Sequence, residues 1–169
     1  AIAHIECRFH PLTAITPFAA VKQVLEGAIQ LYTAVPDEQR NSLHLKLEPL
    51  INQVPGLLNY IHPGLQKYFA MNILAPSPFR PSSEQALLCS TLQEMASLLA
   101  AELGGLLVAI DDIHYADQQS LEVLKALLGS DTVRGIFIVA TASSSCAGKF
   151  QELLEFQQAP GEENVFFIE

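Results

Sequence analysis

"GGLLVAIDDIHYADQQSLEVLKALL", Gly104 to Leu128, carries the strongest structural signal in the chain. Seven residues without charge run straight into Asp111 and Asp112, and a third aspartate, Asp117, opens an amphipathic segment. A short, continuous apolar run is apolar on both faces, as in a parallel strand covered by helices. After it, Leu121, Val123, Leu124, Ala126, Leu127 and Leu128 recur at helical spacing, with Asp117 suited to cap the start and Gly129 to stop the end. A second apolar run, "GIFIVAT" (Gly135–Thr141), follows soon after. Strand, helix and strand in close succession make a βαβ unit with a right-handed crossover.

On either side of this unit, "AIAHIECRF" (Ala1–Phe9) predicts another strand and "NVFFIE" (Asn164–Glu169) a last one. All four are read as strands buried on both faces. Residues 17–103 differ. "TPFAAVKQVLEGAIQLYTAV" places Phe18, Val21, Val24, Leu25, Ala28, Leu31 and Tyr32 on one helical face, with Pro17 suited to the first turn. "PDEQRNSLHLKLEPLINQV" predicts a second helix that Pro49 must kink or end, because proline lacks the donor and clashes with the preceding turn. "APSPFRPSS" is a loop, and Ser82 with Gln85 gives a capping-box signal for a long helix to about Glu102. The expected fold class is α/β: a partial parallel sheet with helices on both faces and a large helical insert. Residues 1–16 would hold the first strand, 17–103 the insert, and 104–169 the βαβ portion and last strand, all in one domain.

Composition narrows the function classes. Half the residues are hydrophobic, enough to bury a core. Eighteen acidic residues against nine basic give a formal charge of -9. Phosphate neutralisation needs clustered Lys and Arg, so direct nucleic-acid binding and an anionic membrane surface are not expected. Cys7, Cys89 and Cys146 are widely spaced and odd in number, which reads as reduced thiols. The five histidines show no zinc-ligand spacing. No apolar run approaches a membrane-spanning length of about 20 residues, and no secretory signal is legible. The cytoplasm is the expected compartment.

In open α/β sheets, ligands bind beyond the carboxyl ends of the strands. Asp111 and Asp112 close an apolar strand, so they fall on that rim. A carboxylate there can hold Mg²⁺ through its water shell, and a second can orient an attacking water. The bland reading is that two aspartates end a strand and begin a turn. The residues that follow favour the functional one. Asp111, Asp112, His114, Tyr115, Ala116, Asp117, Ser120 and Leu121 together resemble the Walker B region of the signal-transduction ATPases with numerous domains. These are AAA-like, P-loop ATPase modules of multidomain nucleotide cyclases, kinases and large transcription regulators. That family more often has Trp at the Tyr115 position and Pro at Gln118. "ECRFHPLTAITPFAAVKQVLEGAI" is similar to the family's second strand and following helix, and "GIFIVATASSS" to its fourth strand.

The resemblance implies Asp111 as the metal ligand, Asp112 as the catalytic residue that polarises water, and Thr141 and Ser143 beside the γ-phosphate. ATP and Mg²⁺ would be the cofactors, other domains of a signalling protein the partners, and a homo-oligomer is a further expectation. Two departures stand out. The family's fourth strand usually ends in an arginine where Ser143 stands here. GxxxxGK[ST] is also missing: "SSSCAGKF" (Ser143–Phe150) has Ser143 and Phe150 at the wrong places and follows the wrong strand. The chain is therefore expected to begin just after the phosphate loop. Without that loop's strand, "GIFIVAT" and "NVFFIE" lack a common neighbour. Either another part of the parent protein supplies it or the last strand packs differently. The alternative function is a degenerate, non-hydrolysing interaction or scaffold domain.

Among smaller features, His114 is read as packing its strand-end loop, Asp117 as an N-cap, and Cys7 as a buried strand cysteine. An Asp111–His114–Ser120 triad has no nucleophile elbow to support it.

Overall fold

The computed structural model describes residues 2–73, 81–128 and 134–143. Strands β1 (Ala3–Arg8), β2 (Leu106–Asp111) and β3 (Ile136–Ala140) pair in parallel in the order β1-β2-β3. The register sets Ile5 beside Val108 beside Ile138, and Arg8 beside Asp111. Period-two alternation explains which face is covered. Ile5, Cys7, Leu106, Val108 and Ile110 are buried, while His4, Glu6 and Arg8 on the opposite parity are exposed. Phe137 and Val139 share that outer face and stand 63% and 57% exposed.

The helices are α1 (Ala19–Ala34), α2 (Asp37–Ile51), α3 (Pro55–Ile61), α4 (Pro81–Leu103) and α5 (Gln118–Leu128). Ala20 of α1, Ala100 of α4 and Leu124 of α5 join the buried sheet residues in one apolar cluster. The expectation of strands buried on both faces, with helices on both, is thus met on one face only among the described residues. Right-handed crossovers account for this. When each new strand is added on the same side, every connecting helix lands on the same face. The last expected strand, Asn164–Glu169, lies outside the described residues, as do Gly129 and Cys146.

A second apolar cluster fills the helical region, joining Leu25 and Tyr32 of α1, Leu43, Leu47 and Ile51 of α2, Leu58 of α3, and Leu88, Leu92, Met95 and Leu99 of α4. The α4 stripe recurs every three or four residues, as a core helix requires. Over Glu84–Leu103 this helix also has the length and mean hydropathy, 1.2, of a membrane span. That corrects the expectation that no apolar run approaches such a length. In this fold its Leu88, Leu92, Met95 and Leu99 are buried against neighbouring elements. Ala28 of α1 and Leu127 of α5 pack against both clusters, and Gly27 sets how closely α1 approaches β1: a Cβ there would lie 2.3 Å from Ile5 Cγ2.

Three helix boundaries differ from expectation. α1 begins at Ala19 rather than Pro17, because Phe18 adopts a left-handed backbone (φ 58) that turns its ring into the core, 3% exposed. Such a conformation is strained for an aromatic residue and persists only when its surroundings hold it. α2 passes through Pro49 and ends two residues later at Ile51. The carbonyl that Pro49 leaves without a donor belongs to Leu45, a residue on the exposed side of the helix, where water can reach it. α4 starts at Pro81, a position that suits proline because its missing N–H is unpaired there anyway. Ser82 therefore falls in the first turn, and its expected capping role lies outside the described side chains.

What holds Phe18 is Asp117. Its carboxylate is 2% exposed and accepts four hydrogen bonds from two helix starts. Oδ1 accepts the Phe18 N–H at 2.9 Å and the Ser120 N–H at 3.0 Å. Oδ2 accepts the Ala20 N–H at 3.3 Å and the Ser120 hydroxyl at 2.6 Å. Ser120 Oγ in turn accepts the Val21 N–H at 3.1 Å. One aspartate thus caps α5, as the sequence predicts, and α1 as well. Both helix N-termini favour the negative charge there. Asp117→Asn would turn one oxygen into a donor facing N–H groups. A loss of about 3 kcal/mol is expected, because buried hydrogen bonds to a charged group would be broken. Urea unfolding checks it. A loss below about 0.5 kcal/mol, the scale of a neutral surface change, would contradict the double cap.

Candidate functional site

The loops that leave the three strands meet at the carboxyl edge of the sheet. β1 stops at Arg8, and the Phe9 N–H still donates to the Asp111 carbonyl at 3.0 Å. β2 stops at Asp111, and Asp112 turns the chain with a left-handed backbone (φ 59, ψ 45). Aspartate tolerates that conformation better than most residues. The turn feeds a short 3-10 segment, Ile113–Tyr115, before Asp117 caps α5. β3 stops at Ala140, and the next residue ties the two strand ends together. The Thr141 N–H donates to the Ile110 carbonyl at 2.9 Å, and the Thr141 carbonyl accepts the Ile113 N–H at 2.9 Å.

These bonds bring Arg8, Asp111 and Thr141 into one row across the strand ends. Asp111 Oδ1 accepts the Thr141 hydroxyl at 2.6 Å. Thr141 Oγ1 accepts the Asp112 N–H at 3.0 Å, so one hydroxyl fixes both the first acid's side chain and the second acid's backbone. On the other side of Asp111, Arg8 Nε lies 3.4 Å from Oδ2. That ion pair is largely solvated, with side chains 70% and 49% exposed, so it contributes at most about 1 kcal/mol.

His114 completes the edge. Its side chain is 9% exposed and its ring sits 4.1 Å from that of Tyr115, centroid to centroid. The Ser143 N–H donates to His114 Nδ1 at 3.4 Å. The 3.8 Å separation between Nδ1 and Asp112 Oδ1 is too long for a hydrogen bond. His114 is therefore a packed loop residue that also positions Ser143.

All four residues singled out as site residues come together: Asp111, Asp112, Thr141 and Ser143 share one edge. One member and one contact of the cluster escaped sequence reasoning. Arg8 does so because its closeness to Asp111 depends on strand register. The tie between His114 and Ser143 does so because it spans two separate loops. Asp117 and Ser120 are spoken for by the helix starts, and Ser120 is fully buried, so no Asp111–His114–Ser120 triad forms. Among the described residues no group of three or more His, Cys, Asp or Glu side chains converges as a metal cage. Mg²⁺ that arrives with a phosphate ligand is held by only one or two carboxylates rather than by such a cage.

Cys7 sits one residue inside this edge. Burial, and then the negative charge of Glu26, push its thiol up to about 11 from an ordinary value of 9.0. It is a core residue and not a nucleophile.

No protein-family model matches the chain, and no curated protein or solved structure matches it either.

The raised Cys7 value carries a pH dependence of fixed sign. A group that holds its proton more tightly when folded contributes its full stability below the unfolded value. That stability is lost as pH rises through the folded one. Stability should therefore fall between about pH 9 and pH 11, and the fall should be shallower in Cys7→Ala, where Cys89 and Tyr32, also pushed up by burial, still contribute. Thermal unfolding across that range is the check, and an identical slope in both proteins would contradict it.

Proposed function

We propose that this chain is the Walker B portion of an ATP-binding regulatory module in a multidomain signalling protein. Asp111 holds Mg²⁺, Asp112 polarises the attacking water, and Thr141 and Ser143 face the γ-phosphate. What supports the reading is the convergence of those residues at the carboxyl edge of a parallel sheet, where such folds bind ligands. Thr141 orients Asp111 through Oδ1, which leaves the remaining lone pairs for a metal's water shell. Asp112 has its backbone fixed by Thr141, and among the described residues its carboxylate has only the 3.8 Å approach to His114, which suits a residue that must handle a water. Mg²⁺ would supply charge neutralisation for the phosphates. The occupied state would order the loops after β2 and β3, which suits a switch that controls attached domains of a cytoplasmic protein, alone or as a homo-oligomer.

A second reading is a module that no longer hydrolyses ATP and serves as an interaction scaffold. Two observations favour it: Ser143 stands where the resembling family has an arginine, and GxxxxGK[ST] is not found in residues 1–169. The two readings separate on the coding sequence ahead of Ala1. GxxxxGK[ST] within about 50 residues, one strand–loop–helix unit, favours the ATPase, and its absence there favours the scaffold.

The metal role is testable on the chain itself. Titration with Mn²⁺, a paramagnetic stand-in for Mg²⁺, should selectively broaden the NMR amide signals of Asp112, Thr141 and Ser143. Asp111→Asn should weaken that binding by about tenfold, which corresponds to about 1.4 kcal/mol. Broadening centred elsewhere, or an affinity unchanged in Asp111→Asn, would overturn the reading.

A further inference from the structure

We propose that Arg8 is the resident counter-ion of Asp111, which an arriving divalent cation displaces, releasing the guanidinium to a phosphate oxygen of the same ligand. The inference rests on the metal-site reading above and adds a residue and a sequence of events to it.

The geometry points that way in three respects. First, the two oxygens of Asp111 have different partners. Oδ1 is held by the Thr141 hydroxyl at 2.6 Å, whereas Oδ2 meets Arg8 Nε at 3.4 Å. A cation that takes Asp111 through Oδ2 contests that oxygen with Arg8. Second, the contest is winnable. The contact is made through Nε, it is long for a charge-assisted bond, and the Arg8 side chain is 70% exposed, so solvent screens it. A doubly charged ion coordinated by carboxylate oxygen and water has the stronger attraction. Third, Arg8 cannot leave the site when displaced. Its backbone is paired in register with Asp111 inside the parallel ladder, so only the side chain moves. A planar guanidinium tethered next to a metal-bound carboxylate is well suited to phosphate oxygens, which it can grip with two donors.

Charge placement strengthens the case. Ser143, on the β3 side of the edge, carries no positive charge, and its N–H is donated to His114. Arg8, on the β1 side, brings positive charge to the same edge from the opposite direction. A phosphate group there would carry negative charge that the two aspartates alone would repel. A guanidinium that pairs with the acid in the empty site, and with the phosphate in the filled one, offsets one negative charge in both.

The test compares Mn²⁺ affinity, read by the same amide broadening, in the wild-type chain and in Arg8→Gln, Lys67→Gln and Asp111→Asn. Lys67→Gln removes one positive charge from the helical region, in the 3-10 turn Pro63–Lys67, and controls for net charge. Arg8→Gln should bind Mn²⁺ about two- to fivefold more tightly, the factor expected from removing an exposed ion-pair competitor, and Lys67→Gln should not. With Mg²⁺ and inorganic pyrophosphate as the probe the order should reverse, Arg8→Gln binding at least twofold more weakly than wild type. If Arg8→Gln matches wild type while Asp111→Asn weakens Mn²⁺, the metal site stands and the role of Arg8 is overturned. Equal tightening in Arg8→Gln and Lys67→Gln would reduce the effect to long-range charge, and unchanged pyrophosphate binding would remove the phosphate step. No effect in Asp111→Asn would sink the metal reading itself, and this proposal with it.

Discussion

The Asp117 carboxylate organises the fold around the strand ends. It gathers the N–H groups of Phe18 and Ala20, which lie 99 and 97 residues away in the chain, together with the backbone and hydroxyl of Ser120. A carboxylate this deeply buried is tolerated only when its acceptor sites are filled, and here they are. The consequence is geometric. α1 follows the loop that leaves β1, and α5 follows the loop that leaves β2. Pinning the two helix starts to one side chain therefore fixes both loops against each other at the carboxyl edge of the sheet. Arg8 lies at the beginning of one loop and Asp111 and Asp112 at the beginning of the other. The left-handed backbone of Phe18 is also explained, since only that turn delivers its N–H to Asp117 and its ring to the core.

On this fixed edge a second layer of bonds is more exposed. Thr141 links β3 to both aspartates, the Ser143 N–H reaches His114, and Arg8 meets Asp111 through solvent-screened contact. The contrast between the layers matters for function. The buried clamp around Asp117 sets positions, whereas the outer row of Arg8, Asp111 and Thr141 can exchange partners at little cost. An edge that must accept and release a charged ligand needs both properties.

Much of this is legible in the sequence, and the parts that are not share a cause. β2, α5, the cap at Asp117 and β3 are set by residues close in the chain: an apolar run, helical spacing, an acidic N-cap. Asp111 and Asp112 can be placed at a strand end for the same reason. The second half of the Asp117 clamp cannot be read, because its donors are backbone groups of a distant segment and leave no mark in residue types. "TPF" reads as a helix opening with proline in the first turn, yet the helix waits until Ala19, since tertiary bonds outweigh local preference there. The uncovered outer face is hidden too. "GIFIVAT" is apolar throughout, and only the topology decides that Phe137 and Val139 stand exposed among the described residues.

Amide hydrogen exchange measures most directly whether one carboxylate grips two helix starts that lie far apart in sequence. The N–H groups of Phe18, Ala20, Val21 and Ser120 should exchange slowly and as one cooperative unit, opening together when the chain is mildly destabilised. Slow exchange at Ser120 alongside fast, independent exchange at Phe18 and Ala20 would leave Asp117 an ordinary cap of one helix. The two strand-end loops would then have no common anchor, and the arrangement of Arg8, Asp111 and Asp112 along one edge would lose its physical basis.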